Sequence, residues 1–468
     1  MPRQFAFLLC GSFVLWLFAR ERKGRVELSA ALWLPVTWMT LLGSRPVSLW
    51  IGFGKEMATA ADTLEGSPFD RMVFQVMIVA ACIVLARRRI DWRAVFTENR
   101  WVTFFFLYLG FSVLWSDYSM VAFKRWIKDV GSVLMVLVIL TEANPMQAIK
   151  TTFLRCAYVL VPASVLFIKY FPELGRGYDQ WTFEPVVLGV TTNKNILGMS
   201  LFICALSLLW TLRDEWDEKR SGSRNWGPLA GHLTLACMTI WLFRQAHSST
   251  AIGCSFLGSC LFVATRVVAV RRHLPRIAVL TFVAAAFLII VAPMIGLDQI
   301  FVGLMGRDLT FTGRTDIWKA VLAEEINPLI GAGHYSFWLG DRVERISRAW
   351  FYELNEAHNG YLEVYLNGGL IGLGLLLAVL VSGWKKALKE VMTGDSIAGF
   401  RLAVLAGIVV YGVTEAVFRF GLVSTALLAV IIADPGGGAL EHFKPIQLPS
   451  RMDNDTPLPG EGTGVAGV

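Results

Sequence analysis

The stretch HNGYLEVYLNGGLIGLGLLLAVLVSG, residues 358–383, begins with ionisable side chains and continues, after Glu363, as an uncharged apolar run. Crossing roughly 30 Å of hydrocarbon takes about twenty helical residues, and this run is long enough. Similar runs recur upstream and downstream, near 4–19, 28–44, 71–86, 101–115, 127–141, 152–170, 195–212, 229–243, 250–265, 277–295 and 400–418, with a marginal one near 420–433. That makes about twelve candidate spans. They are continuously apolar rather than alternating, so the backbone can satisfy itself in lipid only as helix, and a β-barrel is excluded. The expected fold is an all-α polytopic membrane protein. Composition agrees: 55% of residues are hydrophobic and 17% charged, and the mean hydropathy is +0.55, outside the range of soluble domains.

The net charge of +7 does not form one basic surface, so nucleic acid is not an expected partner. Its cations fall in short clusters between spans: residues 20–25, Arg87 to Arg89 with Arg93 and Arg100, residues 213–224, Arg266 with Arg271, Arg272 and Arg276, and Lys385, Lys386 and Lys389. Such clusters mark cytoplasmic loops. The N-terminus and the segment from about 296 to 357 then face the other side. Residues 4–19 are followed by more positive charge than precedes them and read as a retained span rather than a cleaved signal. The seven cysteines all lie in apolar segments without metal-ligand spacing. Residues 1–434 form one helical membrane domain, and the Pro-, Gly- and acid-rich residues 435–468 read as a disordered cytoplasmic tail.

The long external segment carries Arg307, Arg314, His334, Arg342, Arg345, Arg348 and, at its end, His358. Loops of such length are usually functional or disordered. Within it, RTDIWKAVLAEEI places Ile317, Trp318, Val321 and Leu322 at helical spacing, which predicts a short amphipathic helix at the membrane surface opened by Arg314. Residues 341–358 are also compatible with a helix. Beyond them, His358, Tyr361, Leu362, Tyr365 and Gly369 fall on one predicted helical stripe, with Asn359, Glu363 and Asn367 on the adjacent one.

A planar guanidinium at Arg314 suits two parallel hydrogen bonds to a phosphate, although snorkelling toward headgroups is an equally physical role. His358 and Asn359 could bind an anion at a helix N-terminus or simply cap that helix. Arg342, Arg345 and Arg348 read as a solvated face beside acids, and His334 as a loop histidine. Ionisable residues at membrane depth normally face a cavity or a partner. Those here are Lys124, Arg125, Lys128, Lys194, His247, Glu415 and Arg419. Walker A, GxSxG and HExxH patterns are missing. Any reaction must therefore take its energy from an already activated substrate, and a lipid-linked pyrophosphate fits, since its leaving group needs cationic stabilisation.

GRTDIW, NPLIGAGHYSFW and AHNGYLEVYLNGGLIGLGLL together resemble the C-terminal signature of the O-antigen ligase and Wzy-type polymerase superfamily. LWSDYSMVAFKRW and GVTTNKNILGMSLF resemble its exopolysaccharide-polymerase branch, of the succinoglycan type. The resemblance implies a bacterial inner-membrane enzyme of GT-C-like architecture, working at the periplasmic face without metal or nucleotide cofactor. Its partners would be an undecaprenyl-pyrophosphate-linked glycan donor, a glycan acceptor, membrane lipids and other polysaccharide export components. It further implies that Arg314 holds the donor pyrophosphate, while His358 orients or deprotonates the acceptor hydroxyl or helps neutralise the leaving diphosphate. Where many relatives carry an arginine in a Ser-Arg pair, this chain has Ser249 within AHSSTAIG. Lys194, Arg244 or His247 could supply the second cation, with Asn359 and Arg125 as further substrate-binding candidates.

Overall fold

An apolar segment surrounded by lipid can hydrogen-bond only to itself, and the computed structural model resolves the expected runs as helices. It describes residues 1–21, 28–52, 66–178, 183–220, 222, 227–274, 314–348, 350, 354–393, 397–419 and 421–432. The candidate span at 277–295, the segment from 296 to 313 and the proposed tail at 435–468 lie outside them. Helices coincide with all the other runs: α1 (Arg3–Glu21), α2 (Trp33–Leu42), α3 (Pro68–Ala86), α4 (Trp92–Glu98, a surface helix between spans), α5 (Arg100–Phe111), α6 (Ser119–Leu140), α7 (Pro145–Tyr170), α8 (Lys194–Arg220), α9 (Gly227–Ala246) and α10 (Ser249–Ala264). After the long external segment, with α11 (Arg314–Leu322) and α12 (Asp341–Ser347), come α13 (Gly360–Thr393), α14 (Ala398–Tyr411) and α15 (Leu422–Ile432). Of the described helices, five are long and apolar enough to cross a membrane: α1, α3, α7, α8 and α13. Shorter apolar helices account for most of the remaining runs.

Helix starts follow local chemistry. Ser67 accepts from the Phe69 N–H at 3.1 Å and Asn144 from the Gln147 N–H at 3.0 Å, each followed by a proline at the first helical position. Packing centres on α7, which contacts α1, α2, α6, α8 and α9. Its apolar window is 72% buried, against 11% for α1, which leaves α1 at the periphery with its outer face available to lipid.

The two ends of the bundle differ. At one end the basic clusters meet acids: Arg88 pairs with Glu142, which also accepts from Ser29, Arg155 pairs with Glu21 at 3.1 Å, and Lys150 pairs with Asp214. The opposite end carries the Arg3–Glu173 pair at 3.0 Å and an antiparallel pair of short strands, β1 (Arg176–Tyr178) and β2 (Pro185–Val187). It is also capped by the described residues between 314 and 359, which with Leu366 build a second hydrophobic core from Ile317, Val321, Phe337, Trp338, Val343, Ile346 and Leu354.

Four expectations are corrected. The predicted apolar face of α11 is divided, with Ile317 and Val321 packed into that second core and Leu322 59% exposed, so the helix docks part of that face on protein rather than leaving all of it at the surface. The predicted helix over 341–358 stops at Ser347, whose hydroxyl accepts the Leu354 N–H at 2.9 Å and turns the chain. The run at 400–418 leaves helical geometry after Tyr411, because the Gly412 carbonyl is taken by the Gly360 N–H at 2.7 Å.

The stripe from His358 to Gly369 is interrupted at both ends. His358 has φ 49° and precedes the helix, and Gly369 has φ 62° and ψ −164°, a geometry essentially confined to glycine. The backbone freed around Gly369 is taken up by residues 328–333. The N–H groups of Leu370 and Ile371 reach the carbonyls of Pro328 and Leu329 at 2.8 and 3.1 Å, and those of Ala332 and Gly333 reach Leu366 and Asn367 at 3.0 and 2.9 Å. NPLIGAG and LNGG are thus two halves of one interlock.

Candidate active site

Glu415 is the meeting point. It lies in the unwound segment after α14 and is only 3% exposed. One oxygen accepts from the Arg314 guanidinium at 2.5 Å; the other faces His358 Nδ1 at 3.4 Å and the Asn195 side-chain amide at 3.3 Å. A buried carboxylate needs such partners. Four separate parts of the chain therefore converge here: the start of α8, the start of α11, the residue pair before α13 and the exit of α14.

His358 Nδ1 also faces Glu356 at 3.1 Å, and Glu356 is shared with Arg419 at 3.6 Å. Burial alone would push the imidazolium pKa down. The carboxylates of Glu356 and Glu415 outweigh burial, with Arg314 opposing them, and the pKa lies above its ordinary 6.5. With Nδ1 turned to carboxylates, the ring leaves Nε2 for a substrate. The left-handed backbone of His358 costs about 1–3 kcal/mol, and its neighbours are fixed by the Ala357 N–H donating to Glu363 at 2.6 Å and the Gly360 N–H donating to the Gly412 carbonyl at 2.7 Å.

Arg419 extends the network. It donates to the Asn355 carbonyl at 2.8 Å, and its guanidinium lies 5.4 Å from the Tyr335 ring, on which Arg125 also lies, at 5.7 Å. Burial opposes its charge, but Glu363, Glu356 and Tyr335 more than compensate, so its pKa is raised. Glu363 itself accepts from Trp338 Nε1 at 3.0 Å and from the Ala357 N–H at 2.6 Å. Asp129, Ser132, His334, Tyr335, Glu363 and Arg419 line a cavity of about 60 Å³ between α5, α6, α13 and α15.

The predicted site residues separate into groups. Arg314 and His358 converge on one carboxylate, and Arg125 joins them through Tyr335 and Arg419. Asn359 caps α13, its side-chain oxygen accepting the N–H groups of Tyr361 and Leu362 at 3.0 Å each. Lys194 opens α8, but it is the next residue, Asn195, that touches Glu415. Arg244 and His247 are exposed at the corner between α9 and α10, and among the described residues neither enters the network. That corner nevertheless abuts it, since Thr250 and Thr414 hydroxyls lie 3.3 Å apart. His334 is not an isolated loop residue: its Nε2 faces Asp129 at 2.9 Å. Sequence reading noticed Glu415 and Arg419 as ionisable groups at membrane depth but not as parts of this site, and it passed over Glu356, Asn195 and Tyr335.

The charge set decides what could bind. Glu356, His358 and Glu415 offer ligand atoms within 4.8 Å of one another, a spacing that could suit a metal ion. Both carboxylates are already paired with guanidiniums, however, so a cation would enter beside two positive charges. An anion that displaces Glu415 from Arg314 meets the opposite situation.

Residues 186–377 match the family described as O-Antigen ligase. Over these residues the chain is similar to that family. It is also 26% identical over 321 residues, spanning 65% of this chain and 70% of the relative, to the exopolysaccharide production protein ExoQ of Rhizobium meliloti (strain 1021). The matched residues include Asn195, Arg314, Glu356 and His358, while Glu415, Arg419 and Arg125 reach the same network from outside them. The two similarities, together with the apolar helices, support a polysaccharide polymerase or ligase of the membrane.

Proposed function

We propose that the protein polymerises undecaprenyl-pyrophosphate-linked oligosaccharide repeats at the periplasmic face of a bacterial inner membrane, transferring the growing glycan from its carrier to the next repeat. The observation that carries this reading is the convergence of Arg314 and His358 on the buried Glu415. In the resting site Glu415 occupies the guanidinium that a diphosphate would need. The incoming donor displaces that carboxylate, and Arg314 then binds the diphosphate through two hydrogen bonds.

The acceptor hydroxyl oxygen attacks the anomeric carbon as the glycosyl–phosphate bond breaks. The electron pair of that bond leaves on the polyprenyl diphosphate, where Arg314 stabilises the charge that develops. The hydroxyl proton passes to His358 Nε2, and Glu356 and Glu415 stabilise the imidazolium thus formed. This scheme consumes no nucleotide.

Transfer to lipid A-core or protein is the second reading, favoured by the ligase description of the matched domain. Purified protein supplied with synthetic undecaprenyl pyrophosphate oligosaccharide separates the possibilities. Longer lipid-linked glycans with released carrier are expected; product only when a lipid A-core or protein acceptor is added would make the enzyme a ligase, and translocation without bond cleavage would make it a transporter. In the same assay Arg314→Ala should lower turnover by roughly 10²–10³, the usual loss on removing a group that stabilises transition-state charge. Arg314→Lys should remain impaired, because a point charge cannot reproduce the two-pronged contact.

A further inference from the structure

Transfer between two lipid-linked glycans imposes a geometric requirement. The acceptor reacts through a hydroxyl remote from its own lipid, so its diphosphate lies a repeat's length away from the bond being cleaved. One cationic grip cannot hold both diphosphates. Given the polymerase reading, a second anion site is needed at the same membrane face as Arg314 but displaced sideways from His358.

The first half of α6 has these properties. Lys124 and Lys128 stand one turn apart, and the Lys128 ammonium lies 4.5 Å over the Phe74 ring of α3. Lys128 is within electrostatic reach of Arg71 on α3 and of Arg125, Asp129 and Asp70. The nearby acids have further contacts of their own: Asp129 faces His334 at 2.9 Å, Asp70 accepts from the Ser48 N–H at 2.9 Å and hydroxyl at 2.5 Å, and Asp117 pairs with Arg342 at 3.3 Å. Among the described residues no ion pair engages Lys124 or Arg71.

Hydrocarbon-facing surface adjoins the cations. Met72, Val76, Val79 and Ile83 are 49–63% exposed and recur at helical spacing along α3, starting beside Arg71. Met120 and Phe123 are exposed on α6. A cationic head above an exposed apolar stripe complements a ligand with a multiply charged anionic head and a long hydrocarbon tail. Arg125 ties this surface to the cleavage centre, sharing the Tyr335 ring with Arg419, which pairs with Glu356 beside His358.

We propose that Arg71, Lys124, Arg125 and Lys128 hold the diphosphate of the acceptor, a second polyprenyl-linked glycan whose tail lies along α3. The test uses the full chain in nanodiscs, a synthetic lipid-linked donor, and two acceptors: the lipid-diphosphate-linked repeat and the same oligosaccharide without lipid or diphosphate. For the double variant R71Q/K124Q, the preference for the lipid-linked acceptor, as a ratio of kcat/KM values, should fall by roughly tenfold or more, as expected on losing a charge-assisted contact. An unchanged ratio, which follows if these cations only meet phospholipid headgroups, overturns the site. Equal losses with both acceptors also overturn it, because they place the two residues in donor handling or in folding. If the wild-type protein elongates neither acceptor, the polymerase reading itself fails and this site fails with it.

Discussion

Glu415 shows how one buried side chain can organise a site, which under the proposed mechanism it vacates when the donor binds. Its carboxylate aligns Arg314 and His358 in the absence of substrate, and with Glu356 it sets the proton affinity of the imidazole. If His358 accepts the hydroxyl proton, activity requires the neutral ring, so the acid limb of the kcat/KM profile should lie above 6.5, the ordinary histidine value. Glu415→Gln removes part of the attraction for the imidazolium and should move that limb to lower pH, while Glu415→Ala should in addition loosen Arg314. A limb that stays in place in the Gln variant would remove His358 from the proton transfer. The stability linkage has its own sign: because the folded-state pKa is raised, the contribution of His358 is fully present below the ordinary value and is lost as pH rises through the raised one.

Among the elements, α13 is where local sequence and tertiary contact disagree most instructively. Its apolar run predicts an unbroken helix, yet Gly369 departs from helical geometry and seats against residues 328–333. A Cβ at this position would come within 2.2 Å of the Leu329 carbonyl carbon, a backbone atom with little room to give. Gly369→Ala should therefore cost about 3 kcal/mol or more, combining the strained backbone with the clash. The check is thermal unfolding of the purified protein together with its yield in membranes; wild-type values for both would show that the interlock tolerates a side chain. The exit of α14 follows the same logic. Unwound backbone near membrane depth persists only where it is buried in protein or lines a polar site, and residues 412–419 are such a segment, presenting Glu415 and Arg419.

At the scale of the whole molecule, the described basic residues gather at one end and the Arg314–Glu415–His358 network at the other, an arrangement that supports the proposed external placement of the site under the positive-inside rule. Lys319 is exposed on α11 and Glu98 is exposed at the end of α4 near the opposite end. In intact cells a membrane-impermeant thiol reagent should label Lys319→Cys, and it should reach Glu98→Cys only after lysis; the reverse pattern would invert the molecule and sink the proposed meeting with an exported carrier. The helical class, the positions of most of the described apolar helices, the family resemblance and the candidacy of Arg314 and His358 were legible in the sequence, because hydropathy and motif spacing are properties of contiguous residues. The residues that complete the site were not. Glu415 lies 101 positions from Arg314, and no local pattern records that an unwound turn after one helix will meet the first turn of another. Sequence by itself determined which segments are apolar enough to form membrane helices and which polar groups could not rest in lipid without a partner. Only the tertiary structure decided which partners those groups took, because packing distant helices together is what brings their buried charges within reach of one another.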